Sequence, residues 1–477
     1  MSSLHAAVDL GATSGRVMLA RVGLRRLDLH EVHRFGNAPV DLGDGLHWDV
    51  TGLYREVLHG LELMPKGVAT LGIDSWAIDH GLLDEGGTLL GVPWSYRDTR
   101  TEGVLKQVHA RRSPEDLYEL HGLQYLPFTT IYQLAASRLD QARTVLLVPD
   151  LIGFWLTGAV GAEVTNASTT GLLDVRSRTW SGKLCAAAGV NPAILPALRH
   201  PGESLGRLRA VVREQTRFEG EVLAVGSHDT ASAVVAVPME SERAAYVSLG
   251  TWGLVGVEVE QPVVTAESRA ANFTNELGVD GRTRFLRNVA GLFLLTEVLH
   301  HWRFTSLDRD RVLEAAMELP RGPVFDVDDP RLATPGDMPR KVQDVIQEGG
   351  WPPPRRKAVL VRSILDSLAL KMAATVREAA TLSGRDVEVV HVVGGGAQNT
   401  HLCQLLADAA ELPVVAGPTE ATALGNVLVQ ARAHGTLKGD LGSLRALVRM
   451  THELRRYEPR TPSPGGSGNP MVGGDAR

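Results

Sequence analysis

The chain has 477 residues, 44% of them hydrophobic and 22% charged, and 49 basic against 55 acidic side chains leave a formal net charge of −6. That length suits two or three domains with substantial cores, and the composition excludes a disordered or collagen-like chain. The slight acidic excess offers no polyanion-binding surface, so nucleic acid is not an expected partner, and two cysteines, Cys185 and Cys403, exclude a disulfide framework or a Cys-based zinc site and fit a reducing compartment, the cytoplasm by default.

In chain order, Asp9 interrupts the first apolar stretch with no basic start before it, so the N-terminus does not read as a signal peptide. Residues 6–11 and 16–22 read as two short strands around a Gly-containing turn, with a third strand at 27–34. Strand-like 70–73 and 222–225 alternate with helical 51–63 and 114–120, which predicts an α/β domain. The apolar stretch 145–164 is broken by Pro149, Asp150 and Glu163, which excludes a membrane span and with it a membrane partner. Residues 244–259 repeat the order strand, Gly turn, strand, and Val8-Asp9-Leu10-Gly11 aligns with Val247-Ser248-Leu249-Gly250 at an offset of 239 residues. The chain therefore reads as a duplication, with one domain at 1–238 and a second at 243–455. Residues 320–354 hold eight of the 25 prolines and are expected to be loop-rich and external. Residues 363–380 read as a packed helix, 389–393 as a buried strand, and 460–477, rich in Pro, Gly and Ser, as a disordered tail.

Five segments leave strands with chemistry attached. Asp9-Leu10-Gly11-Ala12-Thr13-Ser14-Gly15-Arg16 is a small-residue turn whose backbone N–H groups can approach an anion, but no Lys-Ser or Lys-Thr follows, so it is not a Walker loop. A carboxylate at Asp9 repels phosphate unless a cation intervenes, for which Mg²⁺ held through one or two carboxylates and waters is the usual solution. The competing reading is a plain hairpin turn. Ser248 to Gly253 is a similar turn without the carboxylate, and two such turns across a cleft suit the two ends of a triphosphate. Gly394-Gly395-Gly396 has more glycine than a simple turn requires, which lets a flat ring or a phosphate reach the backbone.

In Gly226-Ser227-His228-Asp229-Thr230, Asp229 is placed as a general base toward a hydroxyl; the alternative is that Asp229 or Thr230 only caps the helix that follows. His228 has no second His or Cys at ligand spacing, so no transition-metal site is expected. Asp74-Ser75-Trp76-Ala77-Ile78-Asp79 flanks an aromatic with polar groups, a composition suited to a sugar or to a Trp filling the edge of the core.

Together with His33-Arg34-Phe35, Trp48-Asp49-Val50, Tyr96-Arg97-Asp98-Thr99-Arg100 and Val392 to Asn399, these segments resemble the FGGY carbohydrate kinases of the actin, Hsp70 and hexokinase superfamily, over residues 5–435. The resemblance implies an α/β fold of two RNase H-like (actin-like ATPase) domains, with ATP and sugar bound in the cleft between them. It implies transfer of the γ-phosphoryl group to O1 of a ketose, L-rhamnulose in the branch of the family whose motifs these are. On this resemblance Ala12, Thr13, Ser14, Gly15 and Arg16 meet the phosphates, with Asp9 toward Mg²⁺, and Thr251, Thr296 and Gly395 contact the nucleotide. Ala77, His228, Asp229, Thr230 and Asn288 hold the sugar, with Asp229 as base. Two positions depart from the family pattern: Ala77 stands where Gly is expected, and Thr296 where Gln is expected, so that the latter contact is shorter or absent. The alternatives are another FGGY kinase, acting on fuculose, xylulose or glycerol, or a non-catalytic nucleotide-switched binder of the actin or Hsp70 type. A monomer or small homo-oligomer is expected.

Overall fold

Residues 3–36 form an antiparallel meander of β1 (Ser3–Leu10), buried along most of its length, β2 (Ser14–Gly23) and β3 (Arg26–Gly36) in a computed structural model that describes residues 2–460. Apart from Arg460, the tail expected to be disordered lies outside the described residues. Helix α1 (Val50–Glu62), capped by the Asp49 side chain on Gly52 N–H, carries the chain back to β4 (Val68–Ser75), which joins β1 in parallel. A mostly helical insertion follows, including Pro114–His121, Thr130–Ala135 and Val148–Thr157, before β5 (Ser204–Arg207) and β6 (Glu221–Leu223) complete the order β5-β6-β4-β1-β2-β3.

The second sheet contains β7 (Ala244–Leu249), β8 (Trp252–Val259), β9 (Thr274–Leu277), β10 (Thr283–Ala290), β11 (Val389–Val393), β12 (Val414–Ala416) and β13 (Arg455–Tyr457), in the order β9-β10-β8-β7-β11-β12-β13. Its run β10-β8-β7-β11-β12 repeats β3-β2-β1-β4-β6 in both order and direction, two antiparallel neighbours on one side and two parallel on the other. The duplication therefore extends well beyond the four aligned residues. The two turns differ by one residue: Asp9 pairs with Arg16 in the first hairpin, and Ser248 with Leu254 in the second.

Between the sheets lie α2 (Asp229–Val235) and α4 (Ala421–Ala433), while the long α3 (Lys357–Ser383) packs under the second sheet. One apolar cluster runs from Ala7 and Met18 of the first sheet through Val234 and Leu424 to Tyr246 and Val393 of the second. At the crossing of α2 and α4 a Cβ on Gly425 would lie 1.7 Å from the Ser232 carbonyl oxygen, so the two helices touch backbone to backbone. The face of α4 toward the first sheet carries a polar stripe. Asn426 donates to Asp74 (2.5 Å), Gln430 donates to Asn426 (2.6 Å) and to the Ala6 carbonyl (2.8 Å), and Gln430 accepts from Thr70 (2.6 Å). Thr70 takes the Nδ1 proton of His5 (2.7 Å), whose Nε2 accepts from Ser3 (2.6 Å).

Two expectations need correction. Residues 320–354 are not all loop: helix Met338–Glu348 lies inside them, because Pro339 falls in the first turn, where no intrahelical N–H is required, and Asp337 caps the end. Nor is it external, since Met338, Val342 and Ile346 are fully buried. The helix expected at 363–380 begins at Lys357 and ends at Ser383, where Gly384 takes the left-handed conformation. Among the described residues no helix is long and apolar enough to cross a membrane.

Gly425→Ala is expected to destabilise the fold by about 1–3 kcal/mol or more, as overpacking against backbone does, read from urea unfolding. Gly182→Ala is the control, at an exposed helix start where an added Cβ meets nothing.

Candidate active site

The strand ends facing the inter-sheet layer collect the charged residues. Parallel register puts Asp74, at the end of β4, beside Asp9 at the end of β1, and antiparallel register puts Arg16 on the other side of Asp9. Arg16 donates to Asp9 at 2.5 Å and with its other terminal nitrogen to Glu420, the residue before α4. The Pro418 carbonyl, two residues earlier, accepts the Gly394 N–H at 3.2 Å. The first turn and the triple glycine are thus joined through residues 418–420.

Burial raises the Asp9 pKa; the Arg16 charge opposes the rise, and Asp229 and Glu420 add to it. Asp74 is pushed well above the carboxylate range by burial and then by the Asp9 charge, and its Oδ1 is buried with no partner among the described residues. Asp9, Asp74 and Asp229 lie close enough to feel one another's charge, and Arg16 beside them bonds Asp9 and Glu420. That oxygen-only, under-neutralised set fits a hard divalent cation, although among the described residues no three His, Cys, Asp or Glu side chains form a ready cage.

The first turn is held by Gly11 N–H on the Ser14 carbonyl (2.8 Å) and by Asn37, which donates to the carbonyls of Gly11 (2.8 Å) and Thr13 (3.0 Å). Thr13 stays exposed at the tip, with Ala12 and Ser14 half-buried, whereas Gly15 is required by packing: a Cβ there would lie 2.2 Å from the Phe35 ring. In the second sheet Thr251 and Trp252 are exposed at the β7–β8 turn, and Thr296 is exposed on the helix Phe293–His301 that follows β10. The three glycines divide by cause. Gly394 needs its φ of 83°, a Cβ on Gly396 would strike the Leu249 side chain at 2.2 Å, and Gly395 has neither constraint and faces open space. Only Gly395 therefore lacks a structural reason to be glycine.

Ser75 N–H donates to the Ser227 carbonyl at 2.9 Å, which sets the Asp74 and Asp229 segments side by side. Glu163, buried, accepts from Ser227 N–H (2.9 Å), the Ser227 hydroxyl (2.8 Å), Thr165 N–H (3.0 Å), the Thr165 hydroxyl (2.5 Å) and Asn166 N–H (3.3 Å), and so anchors the loop before α2. The capping reading of Asp229 and Thr230 is corrected here: the cap position is His228, which makes no side-chain cap bond, because the helix starts one residue later. Asp229 accepts from Thr230 N–H (2.5 Å) and the Thr230 hydroxyl (3.0 Å), and its side chain is 31% exposed.

Trp76 is 5% exposed and packs on Trp48 with ring centroids 4.5 Å apart, so it fills the core and leaves Ala77 and Ile78 half-buried beside it. Asp79 holds that arrangement by accepting from Trp48 Nε1 (2.5 Å), Trp76 Nε1 (3.0 Å), Tyr96 N–H (3.1 Å) and Gln133 Nε2 (2.7 Å). Burial outweighs the four donors and pushes its pKa up to about 6. Ile78, β-branched, sits at φ 68°, a strained conformation held by the Thr130 hydroxyl on its carbonyl (2.6 Å).

Asn288 reaches the cleft from β10, and Gln124 of the insertion grips it three ways, accepting from its N–H (2.9 Å) and Nδ2 (3.0 Å) and donating to its carbonyl (3.2 Å). Gln124 also lines a cavity of about 280 Å³ with Tyr125, Tyr132 and Arg269, but none of the carboxylates opens into it. Sequence reasoning missed Gln124, Glu163, Glu276, Arg284, Glu420 and Asn426, which carry no motif. It also assigned nothing to Asp74, although that residue lay within a segment already singled out.

Two sheets of the same strand order, each with a small-residue turn, meeting around shared helices and a carboxylate cluster, define an actin-like ATPase architecture. Residues 46–236 match the N-terminal domain, and residues 245–434 the C-terminal domain, of the FGGY family of carbohydrate kinases, and the chain belongs to that family. It is 41% identical to a rhamnulokinase of Pectobacterium carotovorum subsp. carotovorum over 469 residues, covering 96% of this chain and 93% of that one. It is 38% identical to a rhamnulokinase of Bacteroides thetaiotaomicron over 464 residues, 95% of each. Its fold resembles a gluconate kinase from Lactobacillus acidophilus (TM-score 0.79, 15% identity, 96% and 94% of the two chains). A glycerol kinase from Plasmodium falciparum solved with ADP is similar to the same extent (TM-score 0.77, 15% identity, 96% and 94%).

Glu163→Gln puts an amide N–H₂ where five donors converge, and is expected to cost about 1–3 kcal/mol of unfolding free energy, the range for an unsatisfied buried polar group, measured by urea denaturation.

Proposed function

We propose that this chain transfers the γ-phosphoryl group of ATP to O1 of L-rhamnulose, giving L-rhamnulose 1-phosphate and ADP. The observation that carries the reaction type is Asp229, a partly exposed carboxylate at the inner end of α2, beside the buried pair Asp9 and Asp74 and next to His228 and Thr230. The choice of ketose is supported by the two rhamnulokinases, whose similarity spans nearly the whole chain.

Phosphoryl transfer passes through a loose, highly charged transition state, so positioning and electrostatics matter more than covalent participation. Ala12 to Arg16 on the first turn and Thr251 and Gly395 on the second half hold the triphosphate, and Thr296, shorter than Gln, reaches the nucleotide less. His228, Thr230, Asn288 and the backbone at Ala77 fix the ketose, with Asn288 kept rigid by Gln124. Asp229 takes the O1 proton as the bond to phosphorus forms. Mg²⁺ would be held by Asp9, with Asp74 behind it, and would supply charge neutralisation for the phosphates. The two lobes, residues 1–238 and 243–455, close over the substrates and exclude water that would compete with the sugar hydroxyl.

ADP release across a panel of L-rhamnulose, L-fuculose, D-xylulose and glycerol is expected to be fastest with L-rhamnulose. Absence of release with every acceptor supports the nucleotide-switched binder instead. Asp229→Asn is expected to melt as the unsubstituted chain does and to lose about 10²-fold or more in kcat, the usual contribution of a general base; near-normal turnover removes Asp229 from that role. Asp9→Asn is expected to raise the Mg²⁺ concentration needed for half-maximal rate, and an unchanged Mg²⁺ titration contradicts its assignment.

A further inference from the structure

His228 stands between two carboxylates. Its Nε2 lies 3.3 Å from Asp229 Oδ1, and its Nδ1 lies 3.4 Å from Glu276 Oε2, on β9 of the other sheet. A neutral imidazole carries one proton, and the two carboxylates compete for it. If Glu276 takes the donor, the Nε2 lone pair faces Asp229 and repels it. If Asp229 takes the donor, the ring restrains the carboxylate that is to receive the sugar proton.

The third neighbour decides between them. Arg284, on β10, is fully buried and places Nη2 3.0 Å from His228 Nδ1 and 3.1 Å from Glu276 Oε2, with its Nε on the Leu277 carbonyl at 3.3 Å. A guanidinium has donors only, so Nδ1 at that distance is the acceptor and the ring proton sits on Nε2, facing Asp229. The same guanidinium nitrogen lies 3.1 Å from Glu276 Oε2 as an ion pair, and that oxygen accepts no hydrogen bond among the described residues. Glu276 in turn has its pKa lowered, with burial opposed by the Arg284 charge.

We infer that Arg284, held by Glu276, is a positioning residue for the general base: it selects the Nε2–H tautomer of His228, which donates to Asp229 and orients it toward the sugar hydroxyl. The inference rests on the kinase reading of Asp229. Because Arg284 comes from the second sheet and His228 from the end of the first, the base is oriented only while the two sheets hold this relation. Thr230 donates twice to Oδ1 and His228 Nε2 lies 3.3 Å from the same oxygen, so Oδ2 is the oxygen left for the substrate.

Two measurements test it. With ring-¹⁵N-labelled histidine, the signal lost in His228→Gln identifies this ring in the unsubstituted chain. A lone-pair Nδ1 with a protonated Nε2 is expected, and an Nδ1–H tautomer or an imidazolium overturns the inference without any change at Arg284. The second is a double-substitution cycle on ketose-dependent ADP release. Arg284→Met is expected to lower kcat about 10-fold or more with KM for ATP unchanged, but to change kcat less than about 2-fold when His228→Gln is already present, as coupled residues do. Equal losses in both backgrounds would make Arg284 a structural counter-ion only and overturn the proposal. If the unsubstituted chain shows no ketose-dependent release, the kinase reading is what fails, whereas the ring spectrum still decides the tautomer.

Discussion

The cleft depends on how closely α4 approaches α2. Only a glycine at position 425 lets the two helices meet backbone to backbone, and that contact sets the depth at which α4 lies on β1 and β4. Glu420, at one end of α4, reaches Arg16, and Asn426, one turn in, reaches Asp74. A side chain at the crossing would displace both, so a purely steric condition governs the electrostatics of the first turn. α4 follows β12 in sequence yet packs against the first sheet, so the two repeats share a common layer.

That layer carries a polar stripe beside its apolar cluster. The chain from Asp74 through Asn426, Gln430, Thr70 and His5 to Ser3 satisfies each donor along its length. Buried polar networks rigidify a structure when complete and are costly when broken. Burial lowers the His5 pKa to about 4, with the His434 charge adding to the effect, so the ring stays neutral and keeps its fixed donor and acceptor sides. The network ends on Asp74, whose remaining oxygen has no partner, at the place where the fold gathers more negative charge than it neutralises.

The duplication holds for five strands of each sheet and is unequal in chemistry. Asp9 and Arg16 in the first hairpin correspond to Ser248 and Leu254 in the second. One turn therefore sits in a strong local field, and the other offers neutral backbone and the exposed Thr251. The asymmetry extends to the aromatic support beneath the first sheet, where Asp79 ties Trp48, Trp76, Tyr96 and Gln133 into one unit that has no equivalent among the glycines and threonine of the second turn.

By itself the sequence determined the elements whose signals are local. The strands around Asp9 and Ser248, the helix starting near Asp49, the Gly-rich turns and the carboxylate at a strand-to-helix junction all follow from residue periodicity and turn chemistry over a few positions. The same locality explains the errors: proline count pointed to loop at 320–354, where a proline in the first turn is compatible with a buried helix, and a sugar-facing reading stayed open for Trp76, whose indole proves to be core. What tertiary structure alone decided is which distant groups meet. Arg284 and Glu276 arrive at His228 from another sheet, Gln124 arrives at Asn288 from an inserted segment, and Glu420 and Asn426 arrive at Arg16 and Asp74 along a helix from the other repeat. A hydrogen bond or a buried charge pair acts over about 3 Å, and no periodicity along the chain encodes a distance between residues separated by hundreds of positions.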